Sequence, residues 1–313
     1  MESQRRYGVL LVGHGTVTNL ASLPGFLRGI RHGREPPPAL VAEMTQRYEK
    51  IGGSPLLRIT EEQAEALSRV LEVPVLVGMR FGTSPIEQAL IRAASLGLDR
   101  LVVLPMAPFS VPLYAAETER IYWHLVDQRG PLGFKLVPVS PWSNHPRFID
   151  AHRVSILEHL GGHTPPNTSI VLTAHSLPLR AIEQGDSYAE QVETCARLIA
   201  NALREEVVVA YQSQGQDHVE WLGPRLEQVF YHLAQQGRVN VVVVPVGFLS
   251  EHVETLFDLD HDAQALATRH GLRMSRVPAL NRDDRLIQTL ADLVVDSLSR
   301  SNSTSAVVNA QAE

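Results

Sequence analysis

The chain has 313 residues, of which 44% are apolar and 20% charged, and its formal net charge is −6. This length allows one large core or two packed lobes, and the mild acidity excludes the usual nucleic-acid binder, which carries a basic patch or a high pI. The single cysteine, Cys195, excludes an internal disulfide, an iron–sulfur cluster and a cysteine-ligated zinc site built from this chain alone. Cys195 lies on the apolar stripe of a helical run, where we expect it to pack in the core.

Short apolar runs rich in β-branched residues alternate with longer helical patterns. In chain order the strand candidates are "YGVLLVG", "VPVLVGM", "RLVVLP", "KLVPV", "SIVLTA", "EVVVAY" and "VNVVVVP". A nearly continuous apolar run is typical of a parallel strand that is covered on both faces. The alternation therefore predicts an α/β fold with doubly wound, mostly parallel sheets flanked by helices.

The order of features repeats along the chain. "LLVGHGT" in the first half corresponds to "VLTAHSLP" in the second, and "LVVLPMAPFS" corresponds to "VVVVPVGFLS". The repeat predicts two similar lobes, residues 1–145 and residues 146–300, with a cleft between the carboxyl ends of their strands, where open α/β sheets bind ligands.

The ends of the chain bear on its location. The opening "MESQRRYGVLLVGHG" leads from a short apolar run directly into a glycine turn, unlike a signal peptide. No stretch approaches the roughly 18 apolar residues that a membrane span needs. We therefore predict a cytoplasmic protein with no transmembrane segment. The polar, aperiodic residues 301–313 are predicted to form a disordered tail.

Two histidines occupy matching places in the predicted lobes. His175 directly follows the strand "SIVLT", so its side chain is expected to point into the cleft. His14 lies in "GHGT", where the flanking glycines would let the backbone approach a ligand closely. A loop histidine satisfied by local hydrogen bonds is the alternative for both.

The stretch "SEHVETLFDLDHD" concentrates negative charge beside apolar residues. Ser250 is a good N-cap for a helix that follows it. On such a helix four carboxylates fall within an arc of about 80°, with His261 at its edge: Glu251, Glu254, Asp258 and Asp262. No lysine or arginine is interleaved with them, as a solvated face would normally have. Carboxylates and histidine suit a loosely held first-row divalent cation, so we predict that a cation rests or travels there.

A basic group precedes a glycine-rich loop in the first half. "GFLRGIRHGR" gathers cationic side chains whose forked geometry matches carboxylates: Arg28, Arg31, His32 and Arg34. The loop "IGGSPL" offers backbone N–H groups for an anion, or is a simple turn.

Taken in order, "RYEKIGGSPLLRITEEQA", "AHSLP", "YQSQG", "EWLGP" and "VPVGFLSEHVETLFDLD" resemble ferrochelatase, from Gly8 to about Leu298. The chain is most similar to the soluble bacterial, coproporphyrin-type members of that family. The resemblance implies a metal-inserting lyase of haem biosynthesis, which bends a porphyrin, removes its two pyrrole protons and inserts Fe(II).

The resemblance also implies roles for individual residues. His175 and Glu254 would be catalytic, and the metal would meet His175, Glu254, Asp258, Asp262 and His14. Arg31, Arg34 and Ser54 would hold the porphyrin propionates, while Tyr114 and Trp142 would pack on the macrocycle. Fe(II) and porphyrin would be substrates, with no permanently bound cofactor and no iron–sulfur cluster. The other partner we consider is transient contact with neighbouring haem-pathway enzymes.

Three questions stay open at this point. The residues do not distinguish coproporphyrin III from protoporphyrin IX, nor which of His175 and Glu254 first takes a proton, nor which face iron approaches. "LLVGHGT" also resembles the smaller chelatases that insert cobalt or nickel into sirohydrochlorin, although eight carboxylates on that substrate should demand more basic residues. A non-catalytic tetrapyrrole-binding protein is the alternative from another class.

Overall fold

The chain divides into two compact units. The structure is a computed structural model that describes residues 6–215 and 219–310, with side chains up to residue 302. Unit 1 takes the chain up to Thr45, Leu56–Trp142 and the chain from Arg282 onward, and unit 2 takes Gln46–Pro55 and Ser143–Asn281.

Unit 1 is built on a parallel sheet with strand order β2-β1-β3-β4. Its elements are β1 (Tyr7–Thr16), a 3₁₀ turn (Leu20–Ser22), α1 (Leu23–Ile30), α2 (Pro38–Lys50, which ends in unit 2), α3 (Leu56–Leu71), β2 (Val75–Gly82), α4 (Ile86–Ser95), β3 (Arg100–Pro105), α5 (Val111–Arg129), β4 (Lys135–Pro138) and α12 (Asp284–Ala310). The four residues from Val9 to Val12 in β1 have no exposed surface. An apolar run buried on both faces is what a central parallel strand requires.

Unit 2 repeats this plan with strand order β6-β5-β7-β8, again all parallel. Its elements are α6 (Pro146–Leu160), β5 (Thr168–His175), α7 (Leu179–Glu183), α8 (Tyr188–Leu203), β6 (Val207–Gln212), α9 (Leu226–Gln235), β7 (Asn240–Val244), α10 (Val253–Leu256), a π-helical turn (Asp258–Ala263), α11 (Gln264–Arg269) and β8 (Arg273–Arg276). Cys195 is buried within α8, as expected of a packing residue.

The predicted fold class is confirmed, since each unit is a parallel sheet with helices and the two sheets have the same strand order. All seven predicted strands form. Strand β8 was missed because "RMSR" is short and polar, and its residues alternate between exposed and half-buried at the edge of the sheet. His14 lies near the end of β1 and His175 ends β5, so both histidines belong to the same strand of the repeated plan.

The C-terminal helix departs from the predicted division at residues 145 and 300. Helix α12 packs against α3 and β3 and therefore belongs to unit 1. Residues 301–310, predicted to lie in a disordered tail, continue this helix, and Asn302 Oδ1 accepts a hydrogen bond of 2.8 Å from Arg100. Residues 311–313 of that tail lie outside the described residues. None of the described helices, α12 included, is both long and apolar enough to cross a membrane.

The glycines beside His14 let two strands approach each other, whereas the sequence suggested that they admit a ligand. A Cβ at Gly13 would lie 2.6 Å from Met79 Sδ, and a Cβ at Gly15 would overlap the carbonyl oxygen of Phe81. Gly15 also has a φ of 108°, which a residue with a side chain rarely adopts.

Gly15→Ala should therefore destabilise the protein by about 1–3 kcal/mol, as a strained backbone position does. Urea unfolding followed by circular dichroism measures the change. Gly25→Ala is the matched control, because Gly25 lies in α1 and has open space around it. The control should be neutral or stabilise the protein by up to about 1 kcal/mol. Equal stability of the two variants would contradict the close approach of β1 and β2.

Candidate active site

His175 stands at the carboxyl end of a central strand in unit 2. Strand β5 is buried along most of its length and ends at this residue, and the following Ser176 donates its backbone N–H to Gln212 O at 2.7 Å, beside β6. The carbonyl oxygen of His175 accepts a hydrogen bond of 2.9 Å from the Tyr188 hydroxyl. The backbone of His175 is thus fixed from both sides, which sets the position from which its ring extends.

The ring of His175 is paired with Glu254. His175 Nδ1 lies 2.9 Å from Glu254 Oε2, and the two side chains are 35% and 28% exposed. A carboxylate can only accept, so the imidazole Nδ1–H is the donor. His175 and Glu254, which the resemblance implies are both catalytic, therefore form a pair, with both side chains partly open to solvent.

The pair perturbs the protonation of both members. Burial lowers the pKa of His175, but the charge and hydrogen bond of Glu254, with the charge of Asp258, raise it above its usual value. Burial raises the pKa of Glu254, yet the charges and hydrogen bonds of His175 and His252 bring it well below its usual value. Each side chain therefore favours the charged form of the other.

His252 is a second histidine beside Glu254, and it replaces Ser250 as the N-cap. Helix α10 begins at Val253, and the His252 backbone N–H donates to Thr255 Oγ1 at 3.0 Å. His252 Nδ1 lies 3.1 Å from the Ser250 carbonyl oxygen, so that nitrogen is the donor. His252 Nε2 lies 3.9 Å from Glu254 Oε2. Ring nitrogens of two histidines thus lie within 3.9 Å of the same oxygen of Glu254.

Asp258 follows Glu254 at the start of a π-helical turn. Its Oδ1 accepts a hydrogen bond of 2.8 Å from Arg47 Nη1, and its Oδ2 accepts one of 2.5 Å from the Ser213 hydroxyl. Burial, together with the charges of Glu254 and Asp262, raises the pKa of Asp258 to about 6, although the hydrogen bond from Ser213 and the charge of Arg47 lower it. Asp258 therefore exchanges protons close to neutral pH.

The four carboxylates that were predicted to share one helix face do not lie on a regular α-helix. The Asp262 N–H bonds Phe257 O at 3.2 Å, five residues back, so this turn contains more residues than an α-helical turn and rotates by less than the 100° per residue assumed. Asp262 is 58% exposed and lies 3.9 Å from Arg47 Nη2. The guanidinium of Arg47 also stacks over Phe257, with its Cζ 4.9 Å from the ring centroid. The acids have no basic residue interleaved with them in the sequence, but an arginine from another segment accompanies them in the structure.

Glu251, the first of the four carboxylates that were predicted to share one helix face, has a structural role. The Glu251 side chain is 12% exposed, and its Oε1 accepts from Arg276 Nη1 at 2.8 Å and from the Ala279 N–H at 2.9 Å. Its Oε2 accepts from Thr255 Oγ1 at 2.5 Å. Each oxygen of this buried carboxylate is therefore hydrogen-bonded, as burial of a charge demands.

In unit 1, His14 is exposed at the end of β1 and contacts aromatic residues. Its Nδ1 lies 3.0 Å from the hydroxyl oxygen of Tyr114, which is 7% exposed. The ring of Phe81 meets His14 edge-on with centroids 5.1 Å apart, and Arg80 lies over the rings of Phe81 and Tyr114. The structure therefore joins His14 and Tyr114, which the sequence analysis placed in separate roles.

The remaining predicted substrate residues have different surroundings. Arg31 follows α1 and is half-buried, while Arg34 is exposed and donates from Nε to Arg31 O at 3.2 Å. Ser54 is half-buried in unit 2, and the N–H groups of the preceding Gly52 and Gly53 close helix α2 instead of facing an anion. Trp142 is 1% exposed, so its ring is enclosed in the core and offers no face to a macrocycle in this conformation.

Comparison with known proteins identifies the family of the chain. The family model described as ferrochelatase matches residues 6–298. The chain belongs to the ferrochelatase family.

Relatives of this family member that are named ferrochelatase are similar over nearly all of it. The protein of Deinococcus radiodurans is 34% identical over 307 residues, covering 94% of this chain and 96% of the relative. The protein of Thermus thermophilus is 36% identical, covering 91% of this chain and 98% of the relative. Identity at this level over whole chains supports the family assignment throughout both units.

Solved structures similar to this ferrochelatase-family chain include other chelatases. SirB from Bacillus subtilis, solved with Fe3+, has a TM-score of 0.63 at 13% identity and covers 95% of this chain and 98% of its own. CbiX, described as the terminal enzyme for biosynthesis of siroheme in denitrifying bacteria, has a TM-score of 0.55 at 13% identity, with 92% and 98% covered. At such identities the likeness concerns the fold.

Sequence reasoning missed several neighbours of the pair in this family member. His252 was quoted in the motif but given no role, although it precedes Glu254 by two residues. Arg47, Ser213 and Tyr188 come from remote segments, and nothing in their local patterns indicates that they meet Asp258 or His175.

In the part of the chain that the structure describes, no three His, Cys, Asp or Glu side chains form a metal-holding group.

Proposed function

We propose that this chain catalyses insertion of Fe(II) into a porphyrin as a metal-inserting lyase of haem biosynthesis. The observation that carries the proposal is the 2.9 Å pair of His175 and Glu254 at the carboxyl end of β5. The membership of the chain in the ferrochelatase family supports the same reaction.

His175 is proposed as the group that takes a pyrrole proton. Insertion releases two protons from the porphyrin for each Fe(II) that enters, so the site must accept and export protons. Neutral imidazole is a suitable base near pH 7, and Glu254 stabilises the imidazolium once the proton has arrived. Because the pKa of His175 is raised, the neutral form becomes abundant only as pH rises above the usual histidine range.

Glu254 and its neighbours are proposed to pass protons on. His252 Nε2, 3.9 Å from Glu254, can accept a proton after a small movement. The pKa of Asp258, about 6, suits a group that takes up and releases protons at neutral pH. Each proton that leaves His175 returns it to the neutral form for the second pyrrole.

Fe(II), as substrate, is proposed to meet His175, Glu254, Asp258 and Asp262, with His14 as a further ligand candidate. Both oxygens of Asp258 are engaged by Arg47 and Ser213, so a cation would compete with those partners. The candidates for binding the porphyrin propionates are Arg31, Arg34 and Ser54. Tyr114 is proposed to hold the ring of His14 in place through the contact of its hydroxyl with His14 Nδ1. The cytoplasmic location, the absence of a resident cofactor and transient contacts with other enzymes stay predictions.

The proposal predicts that the purified protein converts porphyrin to haem under anaerobic conditions. Fe(II) is added to protoporphyrin IX, coproporphyrin III and sirohydrochlorin in parallel, and absorbance spectra are recorded with time. We expect the free-porphyrin bands to decay at a rate proportional to protein concentration with at least one of the two porphyrins. Serum albumin at equal concentration is the control for porphyrin binding without catalysis.

Two outcomes of this assay would contradict the proposal. Metal insertion confined to sirohydrochlorin, tested also with Co(II), would favour the activity suggested by the chelatase-like fold of SirB and CbiX. Porphyrin binding with no spectral change beyond the albumin control would favour a non-catalytic carrier.

A further inference from the structure

Arg276 connects two points of the segment that carries Glu254 and Asp258. It is the last residue of β8, and its side chain is 10% exposed. Strand β8 runs parallel to the others, and Arg276 pairs with Val243 of β7, which pairs in turn with Val171 of β5, four residues before His175. The strand that the sequence analysis missed therefore brings a largely buried cation to the segment that follows β7.

One arm of the guanidinium holds the start of the segment. Arg276 Nη1 donates to Glu251 Oε1 at 2.8 Å, and the same oxygen accepts the Ala279 N–H. The backbone N–H of Glu251 donates to Asn281 Oδ1 at 2.9 Å. Glu251 is thus tied to the chain that follows β8 by both its backbone and its side chain.

The other arm holds the π-helical turn. Arg276 Nε donates to Asp260 Oδ1 at 2.6 Å, and its Nη2 donates to Asp260 Oδ2 at 2.7 Å. Two parallel bonds of this kind fix the orientation of the carboxylate as well as its distance. On a regular α-helix Asp260 would fall among the apolar residues of this segment. Its pairing with Arg276 explains why a carboxylate is found at that position.

We propose that Arg276 is a positioning residue: by linking Glu251 to Asp260 it holds the intervening segment so that the Glu254 carboxylate meets His175 at 2.9 Å. The expected effect of Arg276 on the rate of iron insertion rests on the proposed function. Helix α10 has only four residues and the π-helical turn follows almost at once, so the backbone hydrogen bonds of this segment are few and irregular. A side-chain link between its ends supplies a constraint that a regular helix would not need.

The test variant is Asp260→Asn, which breaks the outer arm only. Asp260 is 36% exposed and Glu251 keeps its bond to Arg276, so no buried charge is left unpaired and the protein should fold. The amide nitrogen of asparagine cannot accept from Arg276, which removes one of the two parallel bonds. Asp260→Glu restores the carboxylate and should recover part of the effect. Asp150→Asn is the matched control, because it removes an ion pair of 2.8 Å with Arg153 in α6 of the same unit.

The direct readout is the imidazole ring of His175, followed by NMR on protein labelled at histidine and assigned with a His175→Gln variant. We expect Asp260→Asn to shift the Nδ1–H signal of His175 upfield, as a longer hydrogen bond would. We expect kcat for iron insertion to fall by about tenfold, with KM for porphyrin unchanged within about twofold, as small misplacement of a reacting group does. Asp150→Asn should leave both unchanged, and Asp260→Glu should lie between.

An unaltered His175 signal in folded Asp260→Asn protein would overturn the proposal, whatever happens to activity. A fall in kcat that matches a loss of folded protein, or that Asp150→Asn reproduces, would overturn it as well. The NMR result stands even if the wild-type protein inserts no iron, so failure of the positioning role and failure of the proposed function can be told apart.

Discussion

Replacing His175 with alanine should lower kcat for Fe(II) insertion by about 10²–10⁴-fold, the range that loss of a positioned general base produces. The ring extends from a backbone held by Tyr188 and by the pairing with β6, and the substitution removes the base from this fixed position. Glu254 would lose the imidazole that its carboxylate orients. Initial rates from anaerobic absorbance spectra measure the effect.

Porphyrin affinity separates loss of chemistry from loss of binding in this variant. A porphyrin titration should give a Kd within a few-fold of wild type, since the ring is one small part of a macrocycle site. His232→Ala is the control, because His232 is an exposed histidine on α9 in the same unit and should leave kcat unchanged within about twofold. Insertion by His175→Ala at the wild-type rate, with porphyrin bound, would remove His175 from the mechanism.

The sequence was informative where one segment is enough to determine the local structure. The runs around Val9 and Val243 predicted parallel strands because a buried strand must be apolar on both faces. His175 could be placed at a strand end by the same reasoning. Its pairing with Glu254, 79 residues away, came from the resemblance to a family and not from spacing, because nothing local reports which strand ends meet.

The sequence was least informative about partners from remote segments. Arg47 precedes Asp258 by 211 residues, and neither position is unusual in its own neighbourhood. Arg276 lies on a short edge strand whose half-exposed pattern resembles a loop. The absence of basic residues within the acidic stretch suggested an open cation site, whereas arginines from α2 and β8 neutralise part of its charge. The charge around a residue depends on residues that are remote in sequence. Counting charges within the segment alone therefore overestimated the negative charge at the site.

Replacing Glu254 with glutamine should lower kcat by about 10²-fold or more and also shift the pH dependence of the reaction. Glutamine keeps the shape and a hydrogen-bond acceptor but removes the charge that stabilises the imidazolium. In the wild type the raised pKa of His175 means that neutral imidazole, and hence kcat/KM, increases with pH through that raised value. When the charge of Glu254 is removed, burial still lowers the pKa of His175, but the main group that raises it is gone. The acidic limb of the kcat/KM profile should therefore move to lower pH.

The same substitution should weaken folding in a defined pH window. A histidine whose pKa is raised in the folded state adds stability below its unfolded value of about 6.5, and this is lost as pH rises through the folded value. A glutamate whose pKa is lowered adds stability above its unfolded value of about 4.3, and this is lost as pH falls through the folded value. The difference in Tm between wild type and Glu254→Gln should therefore be largest between about pH 4.3 and 6.5 and should shrink at higher pH.

Glu227→Gln is the control for both measurements, because Glu227 is an exposed carboxylate in the first turn of α9. It should leave the pH profile in place and change Tm little at any pH. An acidic limb that stays at the wild-type pH in Glu254→Gln, or moves to higher pH, would show that the Glu254 charge does not set the protonation of the base. That result would shift the role of base from His175 to another group, with Asp258 the first to test because burial raises its pKa to about 6.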